Sequence, residues 1–367
     1  MSKNYAEFYK CALQVNPYSY IKYRGQEHEM TEEQYNESIY NYCIKNNISI
    51  IGLADHGNVD KSKKLREYLS SKGILVFPGF EISTSEKIHI VCLFSENTEE
   101  QELERYLGEL GLSNPEDGNS PSTMSFHDIT QRVIDRGGFW YAAHITSDNG
   151  VLKGKHNNLW KSDKLVAAQI PSKKNEVNPN YINILKNKDP NYQKKTPFAL
   201  INAKDVSKPE DLDLDTASCL IKMSKLNFES FKLAFRDPKA RVKLNFDINN
   251  KYPHSSINEI KISMGYLDNL SLDLSPNLNT IIGGRGAGKS TFIELIRYAL
   301  DINPMSRNAN TSFENICKSN LGIGGIVELV VTSHAQYGKQ FKIIKRYNED
   351  PIIKDINNNV SSYTVKD

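Results

Sequence analysis

A glycine-rich segment near the carboxyl end limits the folds open to this chain more than any other part of it. The segment reads Gly283-Gly284-Arg285-Gly286-Ala287-Gly288-Lys289-Ser290 and matches the pattern GxxxxGK[ST]. It follows the apolar run Thr280–Ile282, expected to be a strand, and precedes Lys289–Ala299, expected to be an amphipathic helix. A strand, loop and helix in this order direct backbone N–H groups and a helix dipole at phosphate oxygens. The segment therefore predicts a nucleotide-binding P-loop.

Each polar position of this loop has an expected role. Lys289 should reach the β and γ phosphates, Ser290 should hold Mg²⁺ through its hydroxyl, and Thr291 should contact the α-phosphate. ATP with Mg²⁺ is the expected cofactor pair. The alternative, a strand-to-helix turn without a ligand, leaves the Lys-Ser pair unexplained. The predicted nucleotide-binding residues are Gly283, Gly284, Arg285, Gly286, Ala287, Gly288, Lys289, Ser290 and Thr291.

Length and composition limit the class of protein. A chain of 367 residues exceeds the usual size of one hydrophobic core, so we expect two domains. Five cysteines without a CxxC pair indicate reduced thiols in a cytoplasmic protein. No apolar run approaches the roughly 18 residues that span a bilayer, so no membrane partner is expected.

A lysine-rich stretch lies in the middle of the chain. Residues 151–196 contain ten lysines against three acidic residues, with Trp160, Tyr181 and Tyr192 interleaved. This composition suits nucleic-acid backbones and bases. The alternative is a solvated surface, which is the more frequent role of a charge run.

Alternating strand and helix patterns predict an α/β fold before residue 215. We expect a first domain over 1–215, a helical connector over 216–255 and an α+β P-loop lobe over 256–367. The connector prediction rests on the amphipathic run Phe228–Arg241. The predicted strands, expected to be mainly parallel, are Ala12–Val15, Ser49–Ala54, Leu75–Glu81, Ile88–Phe94, Trp140–His144, Val166–Ile170 and Ala199–Ala203.

Potential metal ligands lie at the ends of four of these strands. They are Asp55, His56, Glu81, His89 and His144. Carboxyl ends of parallel strands converge on one face, so these side chains can meet. Each residue alone is more often structural, but the set predicts a metal held by His56, Glu81, His89 and His144. Asp55 and His56 are the catalytic candidates, with Asp55 orienting a ligand or acting as a base.

The same segments resemble the PHP (polymerase and histidinol phosphatase) family. GLADHGNV, PGFEIST, KIHIVCLF and WYAAHIT are similar to its metal-binding motifs. The resemblance implies a distorted (β/α)7 barrel that hydrolyses phosphoesters with up to three metals. Gln14 and Asn16 replace the family's His-x-His pair, and Lys204 and Val206 stand at its Asp-x-His pair, with Asp205 between them. Amides bind such metals weakly, so we expect one Mn²⁺ or Zn²⁺ here, in a degenerate barrel.

Residues 256–348 resemble the amino-terminal lobe of cassette-like ATPases that maintain chromosomes and repair DNA. Those ATPases complete their site with an LSGGQ-like signature and an apolar run ending in Asp-Glu, and neither follows here. The resemblance therefore implies either that this sequence is one part of a longer ATPase or that a partner chain supplies both motifs, with a homodimer expected through this lobe. The stretch LNFESFKLAFRDPKARV resembles the join of bacterial PHP–ATPase fusions.

Three functions fit these patterns. The first is an ATP-controlled protein that processes nucleic acid, most simply DNA, in bacterial anti-phage defence. The second is an ATP-dependent DNA sensor or assembly factor whose first domain is a catalytically dead scaffold. The third is a small-molecule phosphatase. Bound metal and nuclease activity distinguish the first two, and turnover of a chromogenic phosphate ester indicates the third.

Overall fold

The computed structural model describes residues 5–23, 29–112, 120–247 and 254–367. The chain divides into two compact units, Glu7–Ile248 and a second unit that groups Met1–Ala6 with Asn249–Asp367. This division differs from the predicted boundaries, because residues 216–247 lie inside the first unit instead of forming a connector. They do so because the strand Cys219–Met223 pairs with the strand Glu7–Val15.

The strands of the first unit form two sheets, ordered β11-β10-β1-β2-β4 and β3-β5-β6-β7-β8-β9. The sheets adjoin where β9 lies beside β11 and β2 lies beside β5. The strands are β1 Glu7–Val15, β2 Ile48–Leu53, β3 Asp55–His56, β4 Leu75–Phe77, β5 Gly79–Ser83, β6 His89–Leu93, β7 Phe139–Ala142, β8 Ala167–Gln169, β9 Ala199–Ile201, β10 Cys219–Met223 and β11 Val242–Leu244.

The mixed α/β class is confirmed, and the strands described before residue 215 are mainly parallel, as expected: five of their seven pairings are parallel. The antiparallel pairings there join β6 to β5 and to β7, and β10, which was not predicted, is antiparallel to β1. The predicted strand Leu75–Glu81 is divided into β4 and β5 at Pro78, which has no N–H for a ladder. The strands that the resemblance assigns to one barrel thus lie in two sheets that adjoin each other.

Helices pack on both faces of the first sheet, with α2 and α3 in the core around Ala12 and α8 in the core around Cys11, and α4 and α5 pack against the second sheet. α2 begins at a capping box formed by Thr31 and Gln34, and it buries Tyr35 and Ile39. None of the described helices is long and apolar enough to cross a membrane. The helices of this unit are α1 Tyr18–Tyr23, α2 Glu32–Lys45, α3 Lys63–Ser71, α4 Glu100–Glu109, α5 Phe126–Asp135, α6 Asn157–Trp160, α7 Pro179–Leu185, α8 Phe228–Ala234 and α9 Pro238–Arg241.

Aromatic side chains fix α8 to the core. The ring centroid of Phe77 lies 5.0 Å from that of Phe228 and 4.9 Å from that of Phe231. Phe231 also lies 5.0 Å from Phe139 on β7. The helix predicted over Phe228–Arg241 stops near Pro238, as expected: α8 ends at Ala234, and α9 begins at Pro238, which cannot donate the backbone hydrogen bond that would continue α8. α8 is therefore part of the first core.

The second unit contains an antiparallel sheet ordered β13-β12-β14-β15-β16 with two helices. The strands β12 and β13 form one antiparallel hairpin, and β14 and β15 form a second. Ile260, Ile262 and Leu329 from the sheet pack with Leu295 of α10 in one core. The elements are β12 Ser256–Ser263, β13 Leu270–Asp273, α10 Lys289–Ala299, α11 Arg307–Leu321, β14 Ile326–Ser333, β15 Lys339–Arg346 and β16 Ile352–Asp355.

The expected strand before the phosphate loop is absent from the described residues. Thr280–Ile282 has no regular secondary structure, and Leu278 and Ile282 are 85% and 92% exposed. A buried strand needs neighbours to satisfy its N–H and C=O groups, and no described strand pairs with this segment. The predicted strand over Thr280–Ile282 was wrong because an apolar sequence does not by itself supply neighbouring strands to pair with.

Candidate metal site and phosphate loop

The carboxylate of Glu81 is buried at the centre of a group of imidazoles. Its Oε1 lies 2.7 Å from His89 Nδ1 and 3.3 Å from His144 Nε2. Its Oε2 lies 3.2 Å from His56 Nε2. The structure therefore brings together all four residues that the sequence offered as metal ligands.

Four neighbouring strands, β3, β5, β6 and β7, position these side chains. β3 and β5 pair in parallel, so His56 is directly beside Glu81. β6 pairs antiparallel with β5 and starts at His89. His144 lies two residues past β7 with a φ of +26°, and its N–H donates to the side chain of Gln169 at the end of β8. Positive φ is uncommon outside glycine, so this contact holds a backbone that turns the imidazole toward Glu81.

Burial and hydrogen bonding act in opposite directions on these groups. Burial raises the pKa of Glu81, but hydrogen bonds from His144 and His89 and the charge of His56 bring it well below its usual range. Burial lowers the pKa of His144, yet its bond to Glu81 and the carboxylate charge raise it overall. The carboxylate therefore remains ionised and can act as an anionic ligand.

The residues fit a single transition-metal ion. One ligand atom from each of Glu81, His89 and His144 lies within 4.8 Å of the others. Two ligands that are each about 2.1 Å from a zinc ion are at most about 4.2 Å apart, so only a small contraction is needed. The buried Nδ1 atoms of His56 and His144 have no hydrogen-bond partner among the described residues. Imidazole and carboxylate are the donors that Mn²⁺ and Zn²⁺ accept.

Gln14 and Asn16, which stand where the resemblance led us to expect two histidines, each donate a hydrogen bond to a carboxylate. Gln14 Nε2 donates to Glu81 Oε2 at 2.5 Å. Asn16 Nδ2 donates to Asp205 Oδ1, and the Tyr20 hydroxyl donates to Asp205 Oδ2 at 3.1 Å. Gln14 and Asn16 are 1% and 0% exposed. These amide N–H groups satisfy the two carboxylates where a second cation would otherwise be required.

The remaining predicted residues lie around this centre. The ammonium of Lys204 forms an ion pair with Asp211 at 3.0 Å. Asp55 is buried, and its Oδ1 accepts the N–H of His56 at 2.8 Å. Burial raises the pKa of Asp55 to about 6. Asp55 thus fixes the backbone that carries an imidazole.

Sequence reasoning missed two residues that contact the imidazoles. The Tyr20 ring stacks on His56 with centroids 5.1 Å apart. Asn149 Nδ2 lies 3.2 Å from His89 Nε2, and the Asn149 carbonyl accepts the N–H of His89. Tyr20 could have been suspected because it closely follows β1. Asn149 belongs to a loop whose sequence carries no comparable signal.

The phosphate loop of the second unit lies at the start of α10. Gly286 and Gly288 both have a φ of +81°, a conformation that glycine adopts without strain. The first N–H groups of α10, from Lys289 to Thr291, have no acceptor within the helix and are available to an anion. A cavity of about 330 Å³ adjoins them, lined by Tyr266, Gly286, Ala287, Gly288, Lys289, Ser290, Thr291 and Asn320.

The lysine of the loop is turned back on the loop itself. Lys289 Nζ donates to the carbonyls of Gly283 and Gly284, each at 2.7 Å. The Tyr266 hydroxyl donates to the Gly286 carbonyl at 3.0 Å. The structure places all nine predicted positions in one loop and helix start, although the strand expected before them is missing.

Known proteins resemble different parts of this chain. Residues 259–366 match a family described as an AAA domain, which confirms the predicted ATPase relationship of this region. A curated protein of Streptococcus pneumoniae serotype 4, described as uncharacterized, is 28% identical over 123 residues, or 31% of this chain and 45% of its own length. This chain therefore matches less than half the length of that relative.

Two solved structures resemble the course of this chain. The lesion-specific endonuclease Q of Pyrococcus furiosus has a TM-score of 0.44 and 10% identity, over 63% of this chain and 56% of its own. A two-domain protein of Bacteroides vulgatus, described as containing a predicted PHP-like metal-dependent phosphoesterase, has a TM-score of 0.39 and 12% identity, over 73% of this chain and 84% of its own. Because both structures share so little sequence with this chain, we infer the function of the first unit from its own side chains.

Proposed function

We propose that this chain, whose residues 259–366 form an AAA domain, binds Mg·ATP and uses it to control a metal-dependent phosphodiesterase site around Glu81. The observation that carries the proposal is the convergence of three imidazoles on one buried carboxylate. Gln14 and Asn16 limit this site to one ion. Nucleic acid, most simply DNA, is the proposed substrate, and anti-phage defence is the proposed setting.

Each residue has a defined task in this proposal. Glu81, His89 and His144 hold a Mn²⁺ or Zn²⁺ ion, with His56 next to the second carboxylate oxygen. When bound, the ion supplies an activated water and positive charge for a phosphoester oxygen. Asp55 orients His56, and Tyr20 restricts the rotation of its ring. Orientation of ligands by such neighbours typically changes metal affinity or activity by about 10–100-fold.

Nucleotide binding is proposed for residues 283–291. Lys289 and the N–H groups at the start of α10 neutralise the phosphates, and Ser290 completes the coordination of Mg²⁺. The sequence contains no LSGGQ-like signature and no apolar run ending in Asp-Glu. We therefore propose that hydrolysis needs both motifs from a partner chain or from further sequence of this protein, and that two copies of this lobe form a homodimer.

A catalytically dead scaffold is the second candidate, favoured by the amide contacts of Gln14 and Asn16. Such hydrogen bonds satisfy the carboxylates without any metal. In that case, the first unit serves as a platform in an ATP-dependent DNA sensor or assembly factor.

Metal analysis of the purified protein distinguishes the two candidates. The enzyme hypothesis predicts about one Mn²⁺ or Zn²⁺ per chain that is lost in His89→Ala and in His144→Ala. His127→Ala is the matched control because this exposed histidine lies on α5, outside the group around Glu81. Mn²⁺-dependent cleavage of DNA should be lost in the same two variants. Absence of both bound metal and cleavage in the parent protein would support the scaffold.

A further inference from the structure

The outer face of the sheet β11-β10-β1 carries a regular group of cations. Phe8 and Lys10 lie two residues apart on β1, and their direct partners on β10 are Lys222 and Leu220. Leu220 is in turn paired with Lys243 on β11. Since directly paired residues of antiparallel strands share a face, these five side chains lie on one side of the sheet.

Arg241, the last residue of α9, directly precedes β11 and continues this arrangement. It precedes Lys243 by two residues, and both positive charges lower the pKa of Lys222, after the larger effect of its burial. The face therefore has two rows, Lys10-Leu220-Lys243 and Phe8-Lys222-Arg241. Rows two residues apart are separated by about 6.8 Å, and neighbouring strands by about 4.8 Å. We name these six residues the basic grid.

The register of the basic grid is fixed by the opposite side of the sheet. Cys11, Cys219, Ile221 and Met223 alternate with the grid residues and are fully buried in the core. A slip by one residue would bury the lysines and expose the core, so the cations must remain on the outer face. The six grid residues are themselves only half-buried.

The grid cations lack acidic partners among the described residues. No ion pair involves Lys10, Lys222, Arg241 or Lys243 within the part of the chain that the structure describes. The carboxylate of Asp213 is near enough to Lys10 for its pKa to be lowered by that charge, but it is bound by Asn46 and Lys45. Close like charges on one face destabilise a sheet, and bound anions would remove this cost.

The ring of Phe8 is not available for stacking on a base. Lys222 Nζ lies 5.7 Å and Lys243 Nζ lies 4.8 Å from its centroid. Both ammonium groups therefore lie within cation–π distance of the ring and occupy the space over it. The grid thus presents charge without an accessible base-stacking surface or hydrogen-bond acceptors for base edges.

We propose that the basic grid binds successive phosphates of a nucleic-acid backbone without regard to base sequence. The inference rests on the nucleic-acid partner of the proposed function and places its binding surface outside the Glu81 site. Four cations in two rows match a polyanion with regularly spaced charges, because phosphate contacts supply most sequence-independent affinity.

The test measures binding of a fluorescent duplex and a single strand by anisotropy at several salt concentrations, in EDTA to prevent cleavage. Lys222→Gln combined with Lys243→Gln removes two phosphate contacts. At 0.1 M salt, the counterion contribution should fall by about 60-fold for the duplex and about 25-fold for the single strand. The slope of log K against log salt should become shallower by about 1.8 and 1.4, respectively.

Two further variants control this experiment. Lys72→Gln removes a lysine that also lies over aromatic rings, those of Tyr40 and Tyr68, but outside the grid, and should change neither affinity nor slope. The double variant Lys222→Arg, Lys243→Arg keeps the charges and should bind like the parent.

Several results would overturn the inference. They are unchanged binding in the glutamine variant, no binding by the parent at low salt, or binding to anionic phosphatidylserine vesicles in place of nucleic acid. If Mn²⁺-dependent cleavage exists but the glutamine variant binds normally, the grid assignment fails and the proposed activity stands. If cleavage is absent but binding is lost in that variant, the proposed activity fails and the grid remains.

Discussion

Replacement of Lys289 by alanine tests the phosphate loop directly. In the structure, its ammonium donates two 2.7 Å hydrogen bonds to the carbonyls of Gly283 and Gly284. When a triphosphate binds, its charged oxygens must replace these neutral carbonyls as acceptors. The contribution of Lys289 to the binding free energy is therefore the difference between its hydrogen bonds to phosphate and its hydrogen bonds to the carbonyls. A hydrogen bond involving a charged group contributes about 1.5–3 kcal/mol net, and we take one such bond as this difference.

This free energy corresponds to a measurable loss of affinity. Since about 1.4 kcal/mol is a factor of ten, Lys289→Ala should raise the Kd for Mg·ATP about 10- to 150-fold. Isothermal titration calorimetry with the full chain measures it. Lys318→Ala is the control, because this lysine is exposed on α11 of the same unit. Equal Kd values for Lys289→Ala and the parent, or no heat with the parent, would refute the role of this loop.

Three further predictions concern single positions. Gly288→Ala should reduce Tm and ATP affinity, since Gly288 has a φ of +81° and an added Cβ would lie 2.8 Å from Tyr266 Cε1. Gly286 has the same φ, but a Cβ there would meet no atom within 4 Å, so thermal scans should show a smaller decrease of Tm for Gly286→Ala. Burial lowers the pKa of Lys194 to about 8, so the folded state binds fewer protons than the unfolded state between about pH 8 and 10.5, and the free energy of unfolding should rise with pH in that range. In urea titrations, Lys194→Met should lose this rise, whereas Lys195→Met, at an exposed neighbouring lysine, should keep it. Gln14→His combined with Asn16→His should increase bound Mn²⁺ above one per chain by elemental analysis, because imidazoles replace two amide donors at Glu81 and Asp205, and an unchanged stoichiometry would contradict the role given to the amides.

Local patterns in the sequence predicted much of the site. His56, Glu81, His89 and His144 were recognised because each lies at or just past a strand, and strand ends meet in space. The pairing of Asn16 with Asp205 could not be read from the chain, since 189 residues separate them and neither flanking segment specifies the distance. The sequence also does not distinguish an asparagine or glutamine that donates to a carboxylate from one that does not.

The fold shows the same limit at longer range. β10 was missed because its alternating pattern, Cys219–Met223, is short and its partner β1 lies at the other end of the unit. The strand expected at Thr280–Ile282 was wrong because an apolar run specifies burial only when neighbours exist to cover it. The helix Lys289–Ala299 was predicted with its observed bounds, because the signals that start a helix act within one turn of it, as the cap Thr31 does at α2.

The phenylalanines of α8 determine where the first unit can be separated from the rest of the protein. A fragment that stops at residue 215 would lack β10 and α8, and water would reach Phe77, Phe139 and the inner side of β1. Large apolar surfaces of this kind promote aggregation. A fragment that continues through residue 247 retains both elements, and it is the shorter piece we expect to remain in solution when expressed alone.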